Sequence, residues 1–211
     1  MGKRNKQKRI SEIPAFSQVI DGEYQMRLQD FLSPQVPVIF ELGCGKGAYT
    51  NQLAEMWREK KFVGIDVKGE RIWVGAKYAK MHKLENVRFV RGAVNDLPQY
   101  VEPASIAEIW ITFPDPFPRK KQAKHRLTFP EFLQMYKKVL VPGGILHLKT
   151  DDEDFFEYSI DMIKAEKGKI LKAIANIYQE KNLDPVLQIQ TDFEKKHLLK
   201  GRKIYYLQAM L

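Results

Sequence analysis

The residues best suited to chemistry lie in two short segments, one rich in glycine and one rich in proline. Residues 41–47 read ELGCGKG and residues 113–118 read FPDPFP. Glycine permits a tight turn and lets a ligand approach the backbone closely. Proline fixes φ and removes a backbone donor, so the second segment predicts a stiff loop that presents Asp115. The two segments therefore predict a ligand-binding turn and a rigid loop that carries one carboxylate.

The acidic residues around the glycine turn indicate which ligand it accepts. Asp66 ends the next predicted strand, where a carboxylate can accept hydrogen bonds from both hydroxyls of a ribose. The spacing of Gly43, Gly45 and Gly47 differs from the Gly-x-Gly-x-x-Gly pattern of dinucleotide-binding turns. Glu41, just before the turn, would repel a pyrophosphate but suits the amino group of a methionine moiety. This pattern favours S-adenosylmethionine over a nicotinamide dinucleotide, and the structural alternative for Glu41 is a carboxylate that caps nearby amides.

The proline-rich segment leads directly into a basic run, and this combination suits a nucleic acid base. Enzymes that methylate exocyclic amines carry a short proline-rich motif after the fourth strand of their sheet. A carboxylate and aromatic rings beside basic side chains can hold a base while contacting its phosphates. The alternative interpretation is a rigid solvent-exposed loop in which Asp115 is only a turn residue.

The positive charge of the chain is concentrated in two segments. The formal net charge is +9, from 35 basic and 26 acidic side chains. Residues 1–9 and residues 117–126 each hold five Lys or Arg and no acidic residue, which leaves 25 basic and 26 acidic side chains elsewhere. Uniform solubility does not require such clustering, whereas binding of a polyanion does. The pattern favours nucleic acid over an acidic membrane surface, because neither segment shows an amphipathic helical stripe.

Composition and length indicate a globular protein in a reducing compartment. The chain has 211 residues, of which 44% are hydrophobic and 29% charged. The single cysteine, Cys44, excludes an internal disulfide framework. No apolar stretch approaches the ~20 residues that span a bilayer, and the N-terminal region lacks the apolar core of a signal peptide. We expect a cytoplasmic protein with no membrane partner and no metal site; the sequence leaves open whether it is a monomer or a homodimer.

Apolar runs alternate with helical patterns along the chain, which predicts an α/β fold with a mostly parallel sheet and helices on both faces. Seven strands are predicted, at residues 36–42, 61–66, 87–90, 106–113, 145–150, 169–178 and 203–211. Helices are predicted at residues 49–61, 69–84, 130–140 and 154–164, and residues 179–202 are predicted to be mostly loop. The last two strands lack a crossover helix between them, which favours an antiparallel hairpin at one edge. Seven strands with this ending are the layout of the Rossmann-like class I methyltransferases.

Two regions are predicted along the chain. Residues 1–30 form a basic, partly flexible extension, in which residues 1–9 are disordered and become ordered on RNA. Residues 31–211 form the methyltransferase domain. In open sheets of this type the ligand lies beyond the carboxyl ends of the strands, at the point where the strand order reverses.

The segment FPDPFPRKKQAKHR resembles the FPDPWPKKRHxKRR signature of the bacterial tRNA (guanine-N7-)-methyltransferases, the TrmB family. Other segments match the family in order: FELGCGKGAYT, GIDVKGERI, NVRFVRGAVNDL, LVPGGILHLKTDDEDFFEYS and QTDFEKKHLLKGRKIYYL. The resemblance covers roughly residues 36–211. It implies transfer of a methyl group from S-adenosylmethionine to N7 of guanine 46 in the variable loop of tRNA.

The resemblance also implies roles for individual residues. The cofactor-binding residues that it implies are Glu41, Gly43, Gly45, Asp66, Asn95 and Asp115. The substrate-binding residues that it implies are Arg119, Asp151, Thr191, Asp192, Phe193 and Glu194. Asp115 matches the active-site aspartate of the family, and we hypothesise that Asp115 and Glu194 orient the guanine. For Asp151 the alternative is structural, since Thr150 or Asp151 could cap the helix that follows.

The sequence departs from the family pattern at several positions. Phe117 replaces a tryptophan, which keeps an aromatic ring but loses a donor. Asp192 replaces a lysine in the Thr-Lys-Phe-Glu motif, which removes a positive charge. The usual Asp-Ala after the third strand is absent, so Asn95 is the candidate for contact with the adenine.

Three other functions compete with this interpretation. A non-catalytic RNA-binding protein on a methyltransferase fold would keep the basic segments but would not need Glu41, Asp66 and Asp115 together. A small-molecule methyltransferase would give no reason for the basic segments. A nicotinamide-dependent oxidoreductase is disfavoured by the early third glycine and by Glu41.

Overall fold

The computed structural model describes residues 3–21, 25–33 and 35–211. Within these ranges the chain forms eight strands and eight α-helices. The strands are β1 Val19–Asp21, β2 Val38–Leu42, β3 Lys61–Asp66, β4 Val87–Arg91, β5 Ile106–Thr112, β6 Leu140–Thr150, β7 Lys169–Ile174 and β8 Tyr205–Met210. The helices are α1 Lys3–Glu12, α2 Gln25–Phe31, α3 Ala48–Met56, α4 Gly69–Met81, α5 Leu97–Tyr100, α6 Pro130–Val139, α7 Glu153–Ala165 and α8 Asp192–Leu198. None of the described helices has the length and apolar character needed to cross a membrane.

All eight strands belong to one sheet, in the order β1-β4-β3-β2-β5-β6-β8-β7. The pairings from β1 to β6 are parallel, and β8 is antiparallel to both β6 and β7. This confirms the predicted α/β fold with a mostly parallel sheet and an antiparallel pair at one edge. The strand order reverses at β2, which pairs with β3 on one side and β5 on the other. The carboxyl ends of these three strands therefore meet where a ligand is expected.

The sheet has one strand more than the seven predicted. β1 is three residues long and pairs in parallel with β4, Val19 opposite Phe89. A segment this short shows no alternation of apolar and polar residues, so the sequence pattern could not reveal it. β6 also differs, because it begins at Leu140 and includes the Pro-Gly-Gly segment that we predicted to precede the strand.

The central strands are apolar on both faces, as expected for a parallel sheet covered by helices. Every residue of β2 is buried. Alternate residues of this strand enter different hydrophobic clusters: Phe40 packs with α6 and α7 residues such as Leu133, while Ile39 packs with α3 and α4 residues such as Leu53 and Ile72. This two-sided packing fixes the carboxyl end of β2, from which the glycine turn starts.

The described part of the N-terminal segment is helical, which differs from the disorder predicted for residues 1–9. α1 packs against α4, where Trp73 donates a 2.8 Å hydrogen bond from its indole Nε1 to Glu12. The Arg9 guanidinium lies 4.7 Å from the centre of the Trp73 ring, and Ile13 is buried. The stabilising partner of this basic helix is an aromatic ring distant in sequence, which a local charge count does not reveal.

The segment 179–202, predicted to be mostly loop, contains α8. Thr191 is its N-cap and accepts a 3.1 Å hydrogen bond from the amide of Glu194. Acidic residues lie in its first turn and basic residues in its last turn, as the helix dipole favours. The Thr-x-x-Glu capping pattern in QTDFEKKH is therefore a sequence signal that could have predicted this helix.

Candidate active site

The glycine turn joins β2 to α3 and leaves its first two glycines facing open space. Gly43 and Gly45 have φ values of +73° and +57°, which side chains rarely adopt. A Cβ atom at either position would meet no atom within 4 Å. Gly47 differs, because a Cβ there would lie 2.4 Å from the Phe89 ring. The first two glycines therefore expose backbone to a ligand, whereas the third allows close packing of α3 on the sheet.

Glu41 lies beneath this turn and is 2% exposed. Its carboxylate accepts hydrogen bonds from the amide of Thr50 at 2.9 Å, from the Thr50 hydroxyl, and from the Thr112 hydroxyl at 2.5 Å. Gly47, the N-cap of α3, has no side chain to cap the helix, so Glu41 supplies the capping oxygen from β2. Burial raises the pKa of Glu41 to about 7, although the two threonines stabilise its charged form. In this arrangement Glu41 is the capping carboxylate that we considered as the structural alternative.

Asp66 closes the turn from the neighbouring strand. One of its carboxylate oxygens accepts a 3.0 Å hydrogen bond from the amide of Gly45, and the other accepts a 2.7 Å bond from the amide of Lys68. Each carboxylate oxygen can accept a second bond, so acceptor capacity remains for two hydroxyl groups. The next residue, Val67, is 60% exposed. An exposed apolar side chain beside this carboxylate is a candidate contact for the flat face of a base, and we did not single it out from the sequence.

Cys44 fits its interpretation as a small turn residue. It is buried, and its amide donates to the carbonyl of Ile65 at 2.9 Å. Burial raises the pKa of the Cys44 thiol, which keeps it protonated and unreactive. Among the residues that the structure describes, no three His, Cys, Asp or Glu side chains are grouped so that they could hold a metal ion.

Asn95 follows β4 and lies on the surface beside α6, in a cavity that no residue of the glycine turn borders. It is exposed and borders a cavity of about 240 Å³ together with Lys124, Phe129 and Met135. This cavity connects the segment expected to contact the adenine with the basic run after Asp115. A larger cavity of about 590 Å³ lies at the start of β2 and β5, and no candidate site residue borders it.

The Asp115 loop leaves β5 in a strained backbone conformation. Phe113 and Phe117, which flank the loop, have positive φ values of 49° and 45°. Such a conformation costs a non-glycine residue on the order of 1–3 kcal/mol and persists only where surrounding contacts enforce it. Asp115 itself is exposed. The loop therefore presents a carboxylate to solvent from a rigid frame, as the three prolines predict.

Arg126 provides part of that frame. Its guanidinium donates to the carbonyl oxygens of Pro116 at 3.0 Å and Phe117 at 3.1 Å, and it lies 4.2 Å from the centre of the Tyr158 ring. Arg126 thus contributes to loop structure, and its charge is engaged within the protein. The other Lys and Arg side chains of the basic run are exposed: Arg119, Lys120, Lys121 and Lys124.

α8 lies next to both the glycine turn and the Asp115 loop. The Lys46 ammonium of the turn lies 3.5 Å from the Asp192 carboxylate at the start of α8. The Phe193 ring is 44% exposed and its centre lies 5.3 Å from that of Phe113. The lysine that the family carries at position 192 is thus replaced by an acid that pairs with Lys46. The structure brings Thr191, Asp192 and Phe193 to the carboxyl ends of β2 and β5, where the glycine turn and the Asp115 loop begin.

Glu194 does not reach the surface beside these residues, in contrast to the guanine-contacting role that the resemblance implies. Its side chain is fully buried and lies 2.9 Å from the Lys149 ammonium of β6, which is also fully buried. Tyr178 donates a 2.7 Å hydrogen bond from its hydroxyl to the same carboxylate. Lys149 further donates to the carbonyl oxygens of Leu187 and Ile189, at 3.1 and 2.9 Å. Burial lowers the pKa of Lys149, and the Glu194 carboxylate opposes that effect.

Asp151 is also paired within the protein. Its carboxylate lies 2.6 Å from both the Arg202 guanidinium and His197 Nδ1. The cap of α7 is Asp152, whose carboxylate accepts a 2.8 Å bond from an amide of the first turn. The alternative that Thr150 or Asp151 caps this helix is therefore wrong, because the residue after Asp151 has the extended backbone that a cap requires.

A third basic segment follows the start of α8, and we did not identify it from the sequence. Residues 195–203 contain five Lys or Arg and no acidic residue. These are Lys195, Lys196, Lys200, Arg202 and Lys203, all of them exposed. A charge count over this window would have revealed the segment. Its position beside Phe193 extends the positive surface around the candidate site.

Comparison with known proteins identifies the family. Residues 35–207 match the family model described as "Putative methyltransferase". The chain is 40% identical over 220 residues to the tRNA (guanine-N(7)-)-methyltransferase of Christiangramia forsetii. The alignment covers 99% of this chain and 98% of that protein. It is 31% identical to the protein of the same name from Geobacillus thermodenitrificans, over 98% of this chain and 96% of that protein.

Solved structures show the same fold at lower identity. The 16S rRNA methyltransferase KamB has a TM-score of 0.68 at 15% identity, covering 88% of this chain and 93% of that chain. A SAM-dependent methyltransferase from Aquifex aeolicus has a TM-score of 0.56 at 16% identity, covering 100% and 98%. These likenesses concern the fold alone and confirm the predicted methyltransferase architecture. The matches over nearly the whole sequence show that the chain belongs to the tRNA (guanine-N7-)-methyltransferase family, the TrmB family that its motifs resemble.

Proposed function

We propose that this protein transfers a methyl group from S-adenosylmethionine to N7 of guanine 46 in the variable loop of tRNA. The observation that carries the proposal is that the open glycine turn and the Phe113–Phe193 pair lie close together at the carboxyl ends of β2 and β5. The exposed side chains of Lys46 and Asp192 lie 3.5 Å apart there, so the turn and the start of α8 are neighbours. The relatives that match nearly the full chain are named tRNA (guanine-N(7)-)-methyltransferase, a name that gives the RNA, the base and the atom but not the position.

The residues around the turn suit S-adenosylmethionine. Gly43 and Gly45 leave room for a ligand against the backbone, and Asp66 retains acceptor capacity for ribose hydroxyls. Val67 offers an apolar surface and Asn95 an amide to the adenine. Bound S-adenosylmethionine supplies a methyl group that its sulfonium charge activates. Glu41 acts from beneath, because its carboxylate holds the start of α3 and the end of β5 in place.

The reaction requires positioning more than acid–base chemistry. Guanine N7 carries a lone pair and no proton, so its attack on the methyl carbon requires no general base. Holding the reacting atoms in line can contribute several orders of magnitude in rate. Methylation places positive charge on the purine, which a fixed carboxylate stabilises. Asp115 is exposed on a rigid loop at the carboxyl end of β5, so its carboxylate is suited to stabilise that positive charge.

The guanine would lie between the Asp115 loop and α8. The exposed ring of Phe193 offers a stacking surface for a base, a contact worth about 1–3 kcal/mol in proteins that bind single-stranded nucleic acid. Thr191 and Asp192 precede Phe193 at the start of α8, and Arg119 directly follows the Asp115 loop. These are the residues that we assign to substrate binding.

The exposed basic side chains are suited to hold the tRNA backbone. Residues 119–124 and 195–203 carry them on the two elements that border the candidate site. Because contacts with phosphates release counterions, affinity for tRNA should fall steeply with salt. The cytoplasm is the compartment that we propose for this activity, in keeping with a single free cysteine.

The test is methyl transfer to a defined RNA. Two unmodified tRNA transcripts, one with guanine at position 46 and one with adenine there, are incubated with the protein and S-adenosylmethionine labelled in its methyl group. Nucleoside analysis should find 7-methylguanosine only in the first transcript. Equal labelling of both would refute the assignment of the position. Tight binding of tRNA without any methyl transfer would instead favour the alternative, a non-catalytic RNA-binding protein on this fold.

A further inference from the structure

Lys149 is a buried lysine to which the proposed function assigns no contact with the substrate or cofactor. All three donors of its ammonium group nevertheless have a hydrogen-bond acceptor. Its ammonium has three donors, and it contacts three acceptors: the Glu194 carboxylate and the carbonyl oxygens of Leu187 and Ile189. Both charged side chains of the pair are fully buried. A buried charge is costly unless it is paired and fully hydrogen-bonded, so this geometry binds the three partners tightly to β6.

The pair fixes the helix that carries the proposed stacking residue. Glu194 lies in the first turn of α8, directly after Phe193. α8 is only seven residues long, and a helix of that length is marginal without tertiary contacts. Tyr178 holds the same carboxylate from a second side at 2.7 Å. The orientation of the first turn of α8 therefore depends on a buried contact that lies beneath the exposed ring of Phe193.

We propose that Lys149 is a positioning residue for the guanine: its ion pair with Glu194 fixes the start of α8 and thereby sets Phe193 at the base-binding surface. In this proposal, which rests on the proposed function, Glu194 acts through Lys149 and Tyr178 and does not touch the guanine. Glu194 either contacts the guanine directly or positions α8 through Lys149. The two alternatives differ in whether the effect of a Glu194 substitution on kcat depends on the presence of Lys149.

A double-mutant cycle separates them. Lys149→Met and Glu194→Gln each leave one buried charge without its partner, and each should lower kcat for tRNA roughly 10²-fold through displacement of α8. The KM for tRNA should rise less, by roughly tenfold, because Phe193, Lys195 and Lys196 move with α8 whereas the basic residues 119–124 stay in place. The double variant removes both charges and should recover about tenfold in kcat relative to either single variant, within the coupling typical of contacting residues. A further loss when Glu194→Gln is added to Lys149→Met would mean that Glu194 contacts the guanine, and the proposal would be overturned.

Hydrogen exchange of the α8 amides provides a readout that does not require activity. Faster exchange at residues 194–198 is expected in each single variant, with partial restoration in the double variant. Unchanged exchange in both single variants would show that the pair does not hold α8. If the single variants do not fold, Tyr178→Phe removes one hydrogen bond to Glu194 from a side chain that is 37% exposed; it should speed exchange of α8 and lower kcat, and wild-type values for both would overturn the proposal.

The matched control is Glu166→Gln. Glu166 forms another Lys–Glu pair, 3.9 Å from Lys137, at the far end of α7. Exchange of α8 and kcat should remain at wild-type values in this variant.

Absence of 7-methylguanosine with the wild-type protein would refute the proposed function alone, since the exchange data would still report whether the Lys149–Glu194 pair holds α8.

Discussion

The Thr112 hydroxyl donates a 2.5 Å hydrogen bond to the Glu41 carboxylate and so joins the carboxyl ends of β5 and β2. One of these strands leads into the glycine turn and the other into the Asp115 loop. The same carboxylate caps α3 through Thr50. A single buried side chain thus couples the element proposed to hold the cofactor with the element proposed to hold the base.

Replacement of Glu41 by glutamine should alter the pH dependence of stability. Burial raises the pKa of Glu41 from 4.5 to about 7, so between these pH values the folded protein binds more protons than the unfolded chain. The free energy of unfolding of the wild type should therefore fall as pH rises through this window, by up to about 3 kcal/mol relative to Glu41→Gln. Urea unfolding at pH 5, 6, 7 and 8 measures this difference. If the free energies of unfolding of the wild type and of Glu41→Gln changed in parallel with pH, this prediction would be wrong. The control is Glu180→Gln, at an exposed position, which should leave the pH dependence of the wild type unchanged.

Replacement of Asp66 by asparagine should weaken cofactor binding selectively. The change removes the charge that accepts bonds from the amides of Gly45 and Lys68 and, in our proposal, from the ribose. The affinity for S-adenosylmethionine should fall roughly 10- to 100-fold, as expected for lost hydrogen bonds to a charged group. Calorimetry measures it, with the surface variant Asp161→Asn as control. Unchanged affinity would remove Asp66 from the cofactor site.

Replacement of Asp115 by alanine should slow methyl transfer without unfolding the protein, because this side chain is exposed. The expected loss is ~10²-fold in kcat, typical of a lost orienting contact. Single-turnover methylation of tRNA measures the chemical step directly. Full activity in this variant would show that Asp115 is only a turn residue.

Phe193 should contribute to binding of the base. Phe193→Ala should weaken tRNA affinity by roughly tenfold, through loss of a stacking contact, whereas Phe193→Tyr should retain most of it. Leu199→Ala is the matched control, since Leu199 is an apolar side chain just after the same helix and is 89% exposed. Equal losses in the Phe193→Ala and Leu199→Ala variants would argue against a specific stacking role.

The third basic segment, residues 195–203, should contact phosphates. Changing Lys195, Lys196 and Lys200 to glutamine should reduce the slope of log affinity against log salt by about 2 to 3. Lys164, Lys167 and Lys169 are exposed lysines near the start of β7, at the opposite end of the strands from the site. The same changes at these three positions should leave the slope unchanged. A similar reduction in both triple variants would indicate only nonspecific attraction.

The elements that the sequence predicted well are those with long, regular patterns. β3 matches its predicted bounds, and α4, α6 and α7 differ from theirs by a few residues. The elements that were missed are short and depend on distant partners. β1 forms because β4 offers an unpaired edge, and α8 is held by contacts to β6. No local pattern in the three residues of β1 carries that information, whereas the Thr-x-x-Glu cap of α8 was a local signal that we did not use.

By itself, the sequence determined the fold class, the place of the glycine turn at the switch point, the stiffness of the Asp115 loop and the family. Only the tertiary structure decided which carboxylates remain free to meet a ligand. Glu41 receives its bond from Thr112, 71 positions away, and Glu194 pairs with Lys149, 45 positions away. Whether a carboxylate is available depends on the donors that folding brings to it, and those donors come from parts of the chain that no local motif includes.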